Sequence, residues 1–155
     1  MRAALLIVVA SLICTPVYAQ APFTGVWNVD ICDPGVPTSK CRGFTLWLLQ
    51  TGANVCGAHL VRDTGGVPFD VGQPISVTGQ VRGTDLFGAV TSGRTTKTYP
   101  IEARLSHGVL LWKVAETSAS LQEGFRPEKI ILTRVASDDA LAKLRVDCAK
   151  ALKDK

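Results

Sequence analysis

Two histidines, His59 and His107, are the side chains in this sequence whose ordinary pKa suits general base catalysis near neutral pH. A nucleophile–base–acid arrangement needs a histidine held between a nucleophile and a carboxylate. His107 lies in a predicted turn, where a solvated side chain is the usual outcome. His59 lies in a predicted strand, where we expect it to be half exposed. We therefore predict no catalytic residues and a protein that is not an enzyme.

Cysteine is the second residue type with chemical potential, and five cysteines are present. Cys14 falls in an apolar leader, which leaves Cys32, Cys41, Cys56 and Cys148. An even number of cysteines in a small exported protein indicates disulfides, although four cysteines allow three pairings. The sequence contains no Cys-x-x-Cys motif and few histidines, so it does not favour zinc. We expect two disulfides and neither a metal nor a cofactor.

The leader combines a positive charge at Arg2, an apolar run over residues 3–13 and small residues before a cleavage point after Ala19. This combination is typical of a secretory signal peptide. The apolar run is shorter than the roughly 20 residues that span a bilayer. We predict that residues 1–19 are removed and that residues 20–155 form a single periplasmic or secreted domain without an integral membrane segment.

Charge gives no support for nucleic-acid binding. The formal net charge is only +4, and the basic residues are scattered singly along the chain. A nucleic-acid reader gathers Lys and Arg on one face. We therefore expect the partner to be a small molecule or an envelope protein.

The elements that would position these residues are short strands separated by glycine-rich turns, a pattern of all-β structure. In the predicted fourth strand Ile75, Val77 and Val81 alternate with Ser76 and Thr78. One apolar and one polar face is typical of an antiparallel sheet over a single core. The eight predicted strands are 24–31, 43–50, 55–62, 75–82, 86–91, 98–105, 109–116 and 128–135.

The connections predict how these strands are arranged. Tight turns containing Gly, Asn or Asp alternate with longer loops, here at 32–42, 63–74, 92–97 and 117–127. In an up-and-down meander successive connections fall on opposite ends. We therefore predict a closed eight-stranded antiparallel up-and-down barrel, because closure removes the exposed edges of an open meander. Its longer loops surround one end.

A change of period after the eighth strand predicts a short C-terminal α-helix over 137–153. Ser137 is a suitable N-cap, and Leu141, Leu144, Cys148 and Leu152 share one face. Since Cys148 would lie near the tight-turn end, where Cys56 also falls, the topology favours the pairings Cys56–Cys148 and Cys32–Cys41.

Gly25 and Trp27 open the first strand with Gly-x-Trp, as in lipocalins and their calycin relatives, which this chain resembles. In that superfamily the tryptophan closes one end of the barrel and an arginine late in the last strand packs over it. Arg134 stands where that arginine would be expected. The resemblance implies structural roles for Gly25, Trp27 and Arg134 and a barrel that holds a small ligand.

Two functional hypotheses follow, and the sequence leaves both open. The first is a carrier that holds a small apolar ligand in the cup of a lipocalin-like barrel. The second is a protein–protein interaction module, such as an inhibitor of an envelope or foreign hydrolase. Binding residues tend to lie on loops held by a rigid scaffold, here the loop-rich end. The candidate ligand-binding residues are Phe69, Arg94, Tyr99, Trp112 and Arg126.

Overall fold

The computed structural model describes residues 22–115, 129–136 and 138–153. It contains eight strands and one helix in chain order. Within these residues no helix is both long and apolar enough to cross a membrane. The predicted signal peptide, the whole loop at 117–127 and Ser137 lie outside the described residues. The elements are β1 Gly25–Ile31, β2 Arg42–Thr51, β3 Asn54–Arg62, β4 Pro68–Arg82, β5 Asp85–Thr91, β6 Thr98–Ser106, β7 Val109–Val114, β8 Lys129–Val135 and α1 Asp138–Lys153.

The strands form a closed antiparallel barrel in which each pairs with its neighbour in sequence, and β1 pairs with β8. At the closure Trp27 is in register with Arg134, and on its other side Trp27 is in register with Leu46. The predicted up-and-down barrel is confirmed. The physical reason for closure is that β1 and β8 leave no unpaired sheet edge once they meet.

Two strand boundaries differ appreciably from the prediction. β7 ends at Val114 instead of residue 116, and β4 begins at Pro68 instead of residue 75. The connection between β3 and β4 is therefore only a short turn around Gly65 and Gly66, both with positive φ. The predicted loop at 63–74 was wrong because its second half pairs with β3: Asp70 is in register with Val61.

An irregularity in β4 explains a second error. His59 pairs with Gly72, whereas Gly57 pairs with Val77. Residues 73–76 of β4 therefore form a bulge opposite a single residue of β3, Ala58. The bulge breaks the alternation. Val77 packs in the barrel interior, Ile75 packs on the outside beneath α1, and Ser76 points inward. The predicted common face of Ile75 and Val77 was wrong.

The barrel interior is filled by apolar side chains from all eight strands. The rings of Phe44 and Trp112 meet edge to face, with centroids 5.5 Å apart, and Trp27 and Leu46 are withdrawn from solvent. Phe23, just before β1, is also buried among them. Burial of this apolar surface is the main force that holds the fold together.

Helix α1 lies on the outside of the barrel. Its buried Leu141, Leu144 and Cys148 pack against Val26 and Ala58, which face outward from β1 and β3. A disulfide joins Cys56 to Cys148, and a second joins Cys32 to Cys41. The predicted pairings are confirmed. Disulfides of this kind persist in an oxidising compartment.

Candidate functional site

The described connections from β1 to β2, β3 to β4 and β5 to β6 lie at one end of the barrel. These residues, 32–41, 63–67 and 92–97, are here called the rim. The opposite end is closed by the turns between β2 and β3, β4 and β5, and β6 and β7. Several large apolar side chains are exposed at or beside the rim, namely Ile31, Val36, Val67 and Val71. The rim thus differs from the opposite end in the length of its connections.

The first part of the rim is held rigid by covalent and backbone constraints. Cys32–Cys41 closes the loop, and a 3-10 turn over Thr38–Lys40 shortens it. The loop also packs against the β3–β4 turn, because a Cβ at Gly66 would collide with the Ser39 carbonyl oxygen. Only glycine fits that contact. This loop therefore presents Val36 in a preorganised position.

The candidate residues Phe69 and Arg94 meet at the rim. The guanidinium carbon of Arg94 lies 4.4 Å from the centroid of the Phe69 ring, a cation–π contact. Phe69 is half-buried against the interior core, while Arg94 is exposed. The pair therefore joins an apolar anchor to an accessible cation.

The buried side chain of Asp70 holds the turn that contains Arg94. The Oδ1 atom of Asp70 accepts hydrogen bonds from the backbone amides of Gly93 at 2.8 Å and Arg94 at 3.2 Å. Ser92 reinforces this with its hydroxyl, which accepts from the Arg94 and Thr95 amides at 3.2 and 3.1 Å. Hydrogen bonds to a carboxylate are stronger than neutral ones. The conformation of the turn is thus determined by a charge inside the barrel.

Asp70 belongs to a buried polar network with His59 and Ser76. Nε2 of His59 lies 3.5 Å from Oδ1 of Asp70, and Nδ1 of His59 lies 2.7 Å from the Ser76 hydroxyl. The exposed fractions of the three residues are 0%, 1% and 6% in the order His59, Asp70, Ser76. A Cβ at Gly72 would collide with both His59 and Ser76, so the network requires glycine there.

These positions correct two expectations from the sequence. His59 is fully buried, not half exposed, and Asp70 is a strand residue, not a loop residue. A signal was available: in the period-2 frame of β3, His59 shares the inward face of Val55 and Val61. Ser76 was missed because the bulge alters its direction. Burial lowers the pKa of His59, while the nearby Asp70 carboxylate opposes that shift.

The network contains the residue types of a nucleophile, a base and an acid, but all three side chains are buried. His59 shares a hydrogen bond with the Ser76 hydroxyl through Nδ1, and its Nε2 faces Oδ1 of Asp70. Its three side chains are almost wholly withdrawn from solvent, where a substrate would have to arrive. These three side chains therefore stabilise the pairing of β3 with β4 and, through Asp70, the rim.

The remaining candidate residues differ in how deeply they are buried. Tyr99 and Trp112 lie in the barrel core, with exposed fractions of 4% and 1%. Phe69 packs against that core from the rim side. Arg126 lies outside the described residues. Of the five candidates, the structure thus brings Phe69 and Arg94 into direct contact and places Tyr99 and Trp112 beneath the surface.

The three structural residues meet near the other end of the barrel. The guanidinium carbon of Arg134 lies 4.6 Å from the centroid of the Trp27 ring, and Nη2 of Arg134 donates to the Pro22 carbonyl oxygen. The Trp27 indole donates to the Phe23 carbonyl oxygen at 3.0 Å. A Cβ at Gly25 would lie 3.1 Å from Nε of Arg134, and Gly25 has φ +154°. Glycine at this position leaves room for the arginine.

These features define a class: a disulfide-linked, closed eight-stranded antiparallel barrel with one external helix and a rigid loop-bearing rim. No protein-family model, curated protein or solved structure was found to match this chain. Its function therefore has to be argued from its own geometry.

Proposed function

We propose that this chain is a non-enzymatic binding protein that recognises a partner protein through the rim. The contact between Arg94 and Phe69 is the observation that carries the proposal. Arginine and aromatic residues dominate the energetics of protein interfaces, and rigid presentation lowers the entropy cost of association. Here the cation is exposed while the turn beneath it is fixed by the buried Asp70.

The surroundings of this pair support an interface. Val36 and Val67 expose apolar side chains on the two neighbouring connections, with exposed fractions of 38% and 61%. Lys40 adds a cation on the disulfide loop and has no ion pair within the described part of the chain. Apolar side chains that lie among charges of both signs, here Arg94 and Lys40 with Asp33 and Asp63, are suited to a protein surface of mixed apolar and polar character.

A small ligand in the cup is the second candidate. Trp112 Nε1 and Asp70 Oδ2 are buried and have no hydrogen-bond partner within the residues that the structure describes. Buried polar atoms in such a state favour a ligand or water that bears hydrogen-bonding groups over a purely apolar molecule. Mass spectrometry of a solvent extract from protein purified under native conditions tests this candidate. A stoichiometric small molecule would favour a ligand carrier over recognition of a partner protein.

We further infer that the barrel is calycin-like and that the mature protein is periplasmic or secreted. The stacking of Arg134 on Trp27 supports the first inference, and the two disulfides support the second. N-terminal sequencing of the exported protein should begin at Gln20. A product that begins at a lipid-modified Cys14 would contradict the proposed cleavage.

Site-specific photo-crosslinking in the cell envelope tests the rim directly. A benzophenone amino acid at Val36 samples the rim, and the same residue at Ala53 samples the tight-turn end as a matched control. We expect a discrete crosslinked protein from Val36, lost when Arg94→Glu is added. Crosslinks from Ala53 alone, or a Val36 crosslink that is indifferent to Arg94→Glu, would contradict the proposal.

A further inference from the structure

A groove of about 770 Å³ runs along the outside of the barrel, between the C-terminal half of α1 and the strands β2, β3 and β4. It lies near the tight turns and not at the rim. Ligand sites for small molecules commonly occupy about 300–1,000 Å³. The groove is therefore large enough for a small molecule, at a place that the proposed function does not use.

The sequence of α1 explains why the groove exists. Leu141 and Leu144 pack beneath the N-terminal half of the helix, where a cavity of about 160 Å³ remains against the sheet. Farther along the helix, the described residues that line the groove are Arg145, Cys148, Ala149 and Ala151, of which the two alanines are too short to reach across to the sheet. Cys56–Cys148 holds this half at a fixed distance from the sheet. Small side chains on a tethered helix leave a gap that the helix does not collapse to fill.

The walls of the groove are mainly apolar. Leu49 and Ile75 form part of the sheet side, the disulfide adds its sulfur atoms, and Ala149 forms part of the helix side. Amide side chains such as Gln50 and Gln80 lie along the wall. An extended apolar chain would bury its surface here, and polar groups at its end would find hydrogen-bond partners.

The lining of the groove includes a cation. Among the described residues that line it, Arg145 is the charged one, and it has no ion pair within the described part of the chain. A guanidinium matches a carboxylate with two parallel hydrogen bonds. We propose that the groove binds a single-chain amphiphile with a carboxylate headgroup, the headgroup on Arg145 and the chain against Leu49, Ile75 and Ala149.

Titration with dodecanoate below its micelle concentration, followed by calorimetry and by methyl NMR, tests the proposal on the intact oxidised protein. Saturable binding of one molecule should shift the methyl signals of Leu49, Ile75 and Ala149. Ala149→Trp fills the groove from the helix side and should weaken binding at least about tenfold. Val146→Trp, at an exposed position of the same helix that does not line the groove, is the matched control.

Headgroup recognition has its own test. Arg145→Gln should weaken dodecanoate binding about tenfold and leave dodecanol binding unchanged, whereas Lys150→Gln should change neither. Thr78→Trp, which fills the groove from the sheet side, replaces Ala149→Trp if that variant fails to fold.

Three results would overturn the proposal: no saturable binding, binding that both groove-filling variants leave intact, or dodecanoate binding that ignores Arg145→Gln. Sedimentation gives a further check. A dimer of the parent protein that Ala149→Trp dissociates would assign the groove to a second copy of the chain and overturn amphiphile binding. Failure of the rim crosslinks leaves this inference unaffected, because the two sites share no residue.

Discussion

Oδ1 of Asp70 lies 2.8 Å from the backbone nitrogen of Gly93, so a carboxylate inside the barrel holds a turn of the rim. The same oxygen faces Nε2 of His59 at 3.5 Å. Rim geometry and interior charge are therefore parts of one hydrogen-bonded network. Substitutions in the interior should consequently be felt at the rim.

Asp70→Asn keeps the shape of the side chain but removes its charge. We expect the free energy of unfolding to fall by about 1–3 kcal/mol, since hydrogen bonds to a charged acceptor become neutral ones. Urea denaturation at neutral pH measures the change. Asp33→Asn, at an exposed position, is the matched control and should change stability by less than about 0.5 kcal/mol. If the two variants had equal free energies of unfolding, the proposed stabilising role of Asp70 would be contradicted.

Stability should depend on pH through His59. Because burial lowers its pKa in the folded state, the unfolded chain binds the proton first as pH falls. The contribution of neutral His59 to the free energy of unfolding is complete above about pH 6.5. It decreases as pH falls below that value, by at most about 1.4 kcal/mol per pH unit. Lys143 and Asp147 of α1 are the charged residues that line a small cavity which His59 also lines.

His59→Gln isolates that dependence. The difference in unfolding free energy between parent and variant should be constant above pH 7 and shrink between about pH 6.5 and 5. Urea titrations at a series of pH values measure it. A difference that stays constant across the whole series would show that His59 titrates alike in the folded and unfolded states.

The two disulfides should contribute unequally. Cys56–Cys148 spans 92 residues and Cys32–Cys41 spans 9. In the chain-entropy model the longer link contributes about 4–5 kcal/mol and the shorter about 2–3 kcal/mol. Replacing each pair by alanines and measuring unfolding in urea gives the two values. If loss of Cys32–Cys41 costs more than loss of Cys56–Cys148, the constraint on the folded rim, and not chain entropy, determines the larger effect.

Arg134→Ala should destabilise the barrel by about 1 kcal/mol through loss of its contact with the Trp27 ring. The hydrogen bond from Arg134 to the Pro22 carbonyl oxygen is lost as well. Arg82→Ala is the matched control, because Arg82 lies 5.8 Å from the centroid of the exposed Phe87 ring. Thermal denaturation followed by tryptophan fluorescence compares them. A larger loss for Arg82→Ala would contradict the structural role of Arg134.

Local pattern and connection parity were enough to predict the framework. Period-2 alternation located the strands, and alternating short and long connections predicted the meander and its closure. The same parity brought Cys148 of α1 to the end of the barrel where Cys56 lies, as the structure confirms. These features depend on neighbours in sequence or on counting strands, which is why a single sequence contains them.

The tertiary structure determines which side chains fill the barrel interior beside the rim. Whether residues 68–74 form a loop or a strand depends on pairing with β3, and the position of the bulge depends on the register of His59 with Gly72. The sequence predicts Asp70 in the loop at 63–74, so its burial inside the barrel was not expected. A buried carboxylate is stable only because His59 and the amides of the rim surround it, and those groups come together only in the folded barrel.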